Sequence, residues 1–250
     1  MERKKSSRRR RRGRLSFLWK PLCVVVATAA MLVAVTFFFR VNHIEVTGMS
    51  RYSRQEVLDA SGVELGRNLY FINKFEVKKA LFTALPYVEE IRINRRLPDT
   101  LCIEVRECAA EAAVADGGGF WLLSANGKLL ERTDTPDAPC VLFEGVTLTE
   151  PVVAEQADFG EESAYRAGVA FTLLREADRR GMRERMVSLD LSDDTALRLN
   201  YLNRFTVRLP WTSDVGYKLD TLDTVVNYLE NNETGRIDLM TEGKASFIPQ

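Results

Sequence analysis

The chain has 250 residues, 46% apolar and 28% charged, enough for a membrane anchor plus one or two small folded domains rather than a disordered or fibrous chain. Its formal charge of zero conceals an asymmetry: residues 1–20 hold ten Lys/Arg against Glu2 alone, a net of +9, so residues 21–250 carry −9. A single histidine, His43, and four cysteines without a CxxC pair exclude a histidine-rich metal site and a CxxC redox motif.

The first predicted element is apolar. From Leu22 to Phe39 the chain reads LCVVVATAAMLVAVTFFF, without a charge. As a helix this stretch is about 27 Å long, close to the hydrocarbon thickness of a bilayer. Phe17 and Trp19 suit the headgroup rim, and Lys20 can extend outward from it. The arginine-rich head lies immediately N-terminal, so the excess of positive charge is expected to hold that end in the cytoplasm. A cleavable signal peptide, with Ala27-Thr28-Ala29 as a small-x-small site, would leave AMLVAVTFFF exposed on a soluble protein. Arg11-Arg12 is poorly followed for a twin-arginine signal. Beside a membrane span, a basic cluster serves topology and lipid contact more simply than nucleic-acid binding.

Next, Ile44 and Val46 alternate with His43, Glu45 and Thr47 in a half-buried strand that Gly48 ends, leaving His43 on the wet face. Ser53 and Glu56 form a capping box for a helix over 54–61, stopped by Gly62. Asn73 and Glu76 start a second helix, with Val77, Leu81 and Leu85 as its apolar stripe and Phe75 and Phe82 widening it, closed by Pro86. Ile91 and Ile93, then Leu101, Ile103 and Val105, mark two strands joined by the NRRLPDT turn. Their arginines and glutamates read as the wet faces and turn of a hairpin.

These residues carry a resemblance. The HIEVTG strand after the anchor and the LPYVEEIRINRRLPDTLCIEVRE ending resemble an FtsQ-type POTRA domain, and nearly the whole chain resembles the FtsQ/DivIB family of bacterial cell-division proteins. The resemblance implies a β-α-α-β-β module at 40–108, after a basic tail at 1–20 and a span at 21–39, with a C-terminal α+β domain at 109–250.

Beyond Cys108, AAEAAVADGGG reads as a small-residue and glycine hinge with room for a strand, and Asn126-Gly127 between apolar runs as a hairpin turn. The segment 134–140 is a turn-rich connection into VLFEGV. A helix over 161–180 shows Ala164, Ala167, Phe171 and Leu174 on one face and stops at Gly181. Strands follow, marked by Val187/Leu189/Leu191, Leu197/Leu199/Tyr201 and Phe205/Val207/Leu209. Ser213 or Asp214 caps a helix with Leu219, Leu222, Val226 and Leu229 as its stripe, and GRIDLMTEGKASFIPQ reads as strand, turn, strand. The fold class is α+β: one transmembrane helix, a POTRA domain, then a mixed sheet with two packed helices.

A chain finishing on a short strand leaves a backbone edge that is blunted or used. The family resemblance implies its use: an FtsB- or DivIC-like partner adds a strand at Gly243, Lys244, Ala245, Ser246 and Phe247, with Thr241 and Glu242 beside it. It also implies FtsL-like bitopic partners, a link to the septal synthase, and a place at the division septum. Relative to longer members, contacts from a polar tail beyond this strand are expected to be missing. No catalytic, cofactor, metal, nucleic-acid or small-molecule site is expected. Glu89-Glu90, Glu161-Glu162 and Asp193-Asp194 are adjacent pairs without the spacing of acid–base hydrolysis, and His43 has no nucleophile elbow. Cys23 reads as an apolar residue of the anchor, Cys102 and Cys108 are too far apart on one extended segment to bridge, and a Cys108–Cys140 bridge stays conceivable beside free thiols. The alternative function is a membrane-anchored, POTRA-like chaperone for exported polypeptides.

Overall fold

The computed structural model describes residues 15–136, 139–211 and 214–249, with side chains from residue 19 onward. The basic head up to Arg14, the Phe17 ring, Asp137 and Ala138 of the 134–140 connection, Ser213 as a cap and the final Gln250 lie outside the described residues.

Helix α1 spans Leu15–Phe38, and its Trp19–Phe38 stretch has mean hydropathy 2.4 and is not buried by the other described residues. A long apolar helix that the rest of the described chain leaves unburied, touched only at its last turn, fits a membrane anchor. Leu22 is exposed within it, and Phe39 sits just past its end.

Strand β1 (His43–Thr47), helices α2 (Arg54–Ser61) and α3 (Lys74–Ala84), and strands β2 (Val88–Arg96) and β3 (Thr100–Glu107) follow. β3 lies centrally, parallel to β1 and antiparallel to β2. The alternating apolar faces of all three strands meet Val57, Val77, Leu81 and Leu85 from the helices in one core. The capping box forms in both directions: Ser53 Oγ accepts from the Glu56 N–H at 3.2 Å, and Glu56 Oε2 accepts from the Ser53 N–H at 2.7 Å. Gly48 is required by a close approach: at φ +85° a Cβ there would lie 2.1 Å from the Val105 carbonyl oxygen.

Two sequence expectations fail here. Phe75 does not widen the stripe of α3; it is 75% exposed, because the second residue after the Asn73 cap points away from the sheet. Arg95 is not simply wet: its Nη2 donates to the Ile72 carbonyl at 2.9 Å and to Tyr70 at 3.3 Å, bracing the loop before α3.

Glu107, at the end of β3, gathers the loop after β1. Its Oε2 accepts from the N–H and Oγ of Ser50 and from the N–H of Arg51, and its Oε1 accepts from the Tyr52 N–H at 3.1 Å. Burial pushes this carboxyl up, but the Ser50, Arg51 and Tyr52 donors outweigh it and leave it below its ordinary value of 4.5. Glu107→Ala is expected to cost about 1 kcal/mol at neutral pH by removing these bonds, since water takes up the exposed Ser50 and Arg51 donors. A depressed folded pKa makes the stabilisation full above the unfolded value and lost as pH falls through the folded one. The Tm gap between wild type and Glu107→Ala, followed by thermal denaturation, should therefore close on acidification below 4.5.

The second sheet has nine strands: β4 (Ala112–Asp116), β5 (Gly119–Leu123), β6 (Leu129–Thr133), β7 (Val141–Glu144), β8 (Met186–Asp190), β9 (Leu197–Tyr201), β10 (Phe205–Leu209), β11 (Gly235–Asp238) and β12 (Ser246–Pro249). Their order is β12-β11-β10-β9-β8-β7-β4-β5-β6. Helix α4 (Gly160–Arg179) crosses between parallel β7 and β8, and α5 (Val215–Tyr228) between parallel β10 and β11. Both crossovers step the same way along the sheet, so their right-handedness lays both helices on one face. There Ala167, Phe171, Leu174, Leu219 and Leu222 pack over Phe143, Leu189, Leu199, Val207 and Ile237.

The strand allowed for after Cys108 is present, but Gly117–Gly119 is a hairpin connection rather than a hinge. Ala112–Asp116 is a strand pairing with both β5 and β7, and Gly117 and Gly118, both at positive φ, turn the β4–β5 hairpin. Val187 is also corrected: a bulge between Met186 and Ser188 turns Met186 inward and leaves Val187 exposed. Ala164 is exposed because α4 meets the core only from Ala167 onward. Asp214 is the cap of α5, its side chain accepting from the Tyr217 N–H.

Candidate functional site

The two ends of the nine-stranded sheet differ. At the β6 end, the loop 154–157 folds over the edge: the Leu129 N–H donates to Glu155 and the Ala154 N–H to Leu129. At the other end β12 is the last strand among the described residues, pairing on one side with β11 through Asp238↔Ser246, Ile237↔Phe247, Arg236↔Ile248 and Gly235↔Pro249.

The ladder fixes which groups of β12 face outward. The Gly235 N–H donates to Arg204 at 3.2 Å and the Leu239 N–H to Arg208 at 3.0 Å, so the odd residues of β11 point at β10. Arg236 and Asp238 then point at β12, and Ile248 and Ser246 point back. By alternation the N–H and C=O of Phe247 and the C=O of Pro249 lie on the open side. Pro249 is tolerated because the N–H it lacks would have been on that side.

Side chains hold this strand in place. The Phe247 ring packs edge-on to Phe205, centroids 6.1 Å apart, while Ile248 stays exposed on the opposite face. Gly235 permits the approach: a Cβ there would meet the Ile248 carbonyl oxygen at 2.3 Å. Arg208 and Asp238 pair at 3.1 Å across β10 and β11. Beneath the loop, Lys218 of α5 is only 4% exposed and donates to the carbonyls of Leu239 and Thr241. A buried ammonium thus latches the segment leading into β12.

Thr241 and Glu242 lie in the expected turn, but Gly243, Lys244 and Ala245 are not strand, contrary to the alternation of GKASF. They form the loop before it, turned by a Lys244 N–H to Thr241 bond at 3.4 Å and by Gly243 at φ +65°. Of the expected contact residues only Ser246 and Phe247 lie in β12, and Ile248 and Pro249 join them. Neither Lys218 nor Ile248 carries a sequence signal beyond its place in a helical or strand pattern.

At the opposite end the two sheets are clasped. Tyr87, with Ala110, Ala113, Leu122 and Leu130, forms a small apolar cluster on the face away from α4 and α5. The Tyr87 hydroxyl donates to Glu131 at 2.6 Å and the Arg51 guanidinium lies 3.7 Å over its ring. Burial, then the Glu131 carboxylate, pushes the Tyr87 phenol well above its usual range. Lys128 Nζ donates to the Val88 carbonyl at 3.0 Å, and Asn126 to Glu89 at 2.7 Å. One acid of the Glu89-Glu90 pair thus holds the clasp and the other pairs with Arg92 at 2.8 Å. His43 is exposed, and all four cysteines are free.

Residues 39–107 match the family model described as POTRA domain, FtsQ-type, and residues 112–240, just over half of the chain, match that described as Cell division protein FtsQ/DivIB, C-terminal. The chain belongs to the FtsQ/DivIB cell-division family. Among its relatives, Cell division protein DivIB of Clostridium botulinum strain Hall is 24% identical over 213 residues, 84% of this chain and 82% of the relative. DivIB of Geobacillus kaustophilus is 33% identical over 40% of this chain and 38% of the relative, and FtsQ of Corynebacterium glutamicum 32% over 42% and 48%. In FtsQ/DivIB terms, the three-stranded sheet is the POTRA fold, and the open β12 edge belongs to the C-terminal sheet at the end away from the POTRA clasp.

Proposed function

We propose that this FtsQ/DivIB chain is a non-enzymatic, bitopic scaffold of the divisome. In this reading residues 1–20 are a cytoplasmic basic tail, 21–39 the span, 40–108 the POTRA domain and 109–250 the partner-binding domain, both domains lying outside the membrane at the septum. The observation that carries the reading is the open β12 edge, with the Phe247 amide and carbonyl outward and a latched approach loop. An FtsB/DivIC-like strand adds there by main-chain hydrogen bonds, while Ile248 and the loop Thr241–Ala245 select its side chains. Anchoring in one bilayer raises the effective concentration of FtsL-like and FtsB/DivIC-like bitopic proteins around that edge, so weak contacts suffice. Through them the scaffold acts on septal peptidoglycan synthesis without chemistry of its own.

Depletion followed by microscopy tests the role. Filamentous cells without septa are expected, rescued by the full chain. Normal division with accumulation of misfolded exported polypeptides would instead support the chaperone function.

A further inference from the structure

The membrane span does not end in a linker. The N–H of Leu69 donates to the Phe39 carbonyl at 2.7 Å, Val41 N–H to Arg67 at 2.9 Å, and Gly66 N–H to Val41 at 2.8 Å, so residues 39–41 are stitched to 66–69 as the chain leaves the helix. The Asn68 side chain reaches back to the Val35 and Thr36 carbonyls at 3.2 and 3.3 Å, satisfying acceptors in the last turn of α1. The POTRA loop is therefore fixed to the very end of the apolar helix.

That loop carries exposed aromatic rings. Phe71 is 79% exposed, Phe75 75% and Tyr70 46%, and Tyr70 stacks edge-on to Phe39 with centroids 5.1 Å apart. Scattered exposed apolar residues are ordinary, but these share one short segment, which Arg95 braces through the Tyr70 and Ile72 carbonyls. The Phe71 N–H bonds the Asn68 carbonyl at 3.1 Å, holding the ring within about 11 Å of chain from the span's end. The headgroup zone extends about 5–8 Å beyond the hydrocarbon on each side, and aromatic rings concentrate there. Within 64–79, Arg67, Lys74, Lys78 and Lys79 outnumber Glu64 and Glu76, which suits lipid phosphates.

We propose that Tyr70, Phe71 and Phe75 form a lipid-contacting wedge seated in the headgroup zone of the bilayer that α1 crosses, holding the POTRA domain at a set tilt on the membrane. The proposal rests on reading Trp19–Phe38 as a membrane span. The test uses the full chain in nanodiscs of phosphatidylethanolamine and phosphatidylglycerol, with photoreactive benzoylphenylalanine placed in turn at positions 71, 37 and 228. Lipid adducts are expected from 71 and 37 and not from 228, since Tyr228 lies on α5 of the other domain. An adduct from 37 without one from 71 overturns the wedge alone; no adduct from 37 overturns the span and the wedge with it. In a second arm, Phe71→Asp with Phe75→Asp should leave thermal unfolding unchanged and reduce the adduct from a probe at position 70 at least fivefold. Undiminished adduct there would also overturn the proposal.

Discussion

Removing residues 244–250 is expected to weaken capture of the proposed FtsB/DivIC-like partner's ectodomain at least about 100-fold, since each main-chain bond of an added strand contributes roughly 1 kcal/mol and side-chain burial adds to it. The three-stranded sheet should remain folded, because its core is separate from the one that Phe247 touches. A milder change isolates the edge from the fold. Ile248 is exposed on the face away from α4 and α5, so Ile248→Glu leaves the core intact. It should weaken the partner by about tenfold, the effect of losing one apolar contact at an interface, with unchanged thermal unfolding. Titration calorimetry with the soluble partner reads both effects, and undiminished binding by the truncated chain would remove β12 from the account.

Lys218→Met is expected to destabilise the C-terminal domain. The methionine fills much of the same volume but leaves the Leu239 and Thr241 carbonyls without their ammonium donor. Orphaning the buried Leu239 acceptor costs about 1–3 kcal/mol, a large fraction of the stability of an ordinary domain, while water can reach the exposed Thr241. The loss should concentrate in the segment 239–249, because Lys218 is what ties that loop to α5. Thermal denaturation should show a lowered transition, and hydrogen exchange should show faster exchange through β11 and β12 while α2 and α3 stay protected. A variant as stable as wild type would mean that water replaces the lysine without loss.

Much of this architecture is legible in the sequence because single segments carry it. The Ser53/Glu56 box, the Asn126-Gly127 turn and the alternation of Leu197, Leu199 and Tyr201 each act within a few residues. What is not legible depends on distant partners. Val187 obeys the strand pattern, yet a bulge against β9 turns it out. Gly117–Gly119 looks like a hinge until β4 is seen pairing with β7, more than twenty residues on. GKASF alternates like a strand, but Gly243 at positive φ and the Lys218 latch make its first part a loop. The proposed strand-addition edge is visible only in part for the same reason. Ser246 and Phe247 follow from the terminal strand pattern, whereas the outward aim of the Phe247 amide follows from β11 facing β10, set by Arg204 and Arg208. Glu107 and Tyr87 give no local sign of gathering a loop or clasping two sheets.

The strand-addition account is tested most directly by amide hydrogen exchange resolved to residue 247. In the free protein the Phe247 amide should exchange quickly and that of Ile248, turned toward β11, slowly. Adding the FtsB/DivIC-like ectodomain should slow Phe247 by at least about tenfold, as a newly formed ladder bond does, while Ile248 changes little. A complex that forms with Phe247 still exchanging freely, and with protection appearing elsewhere, would contradict strand addition at β12.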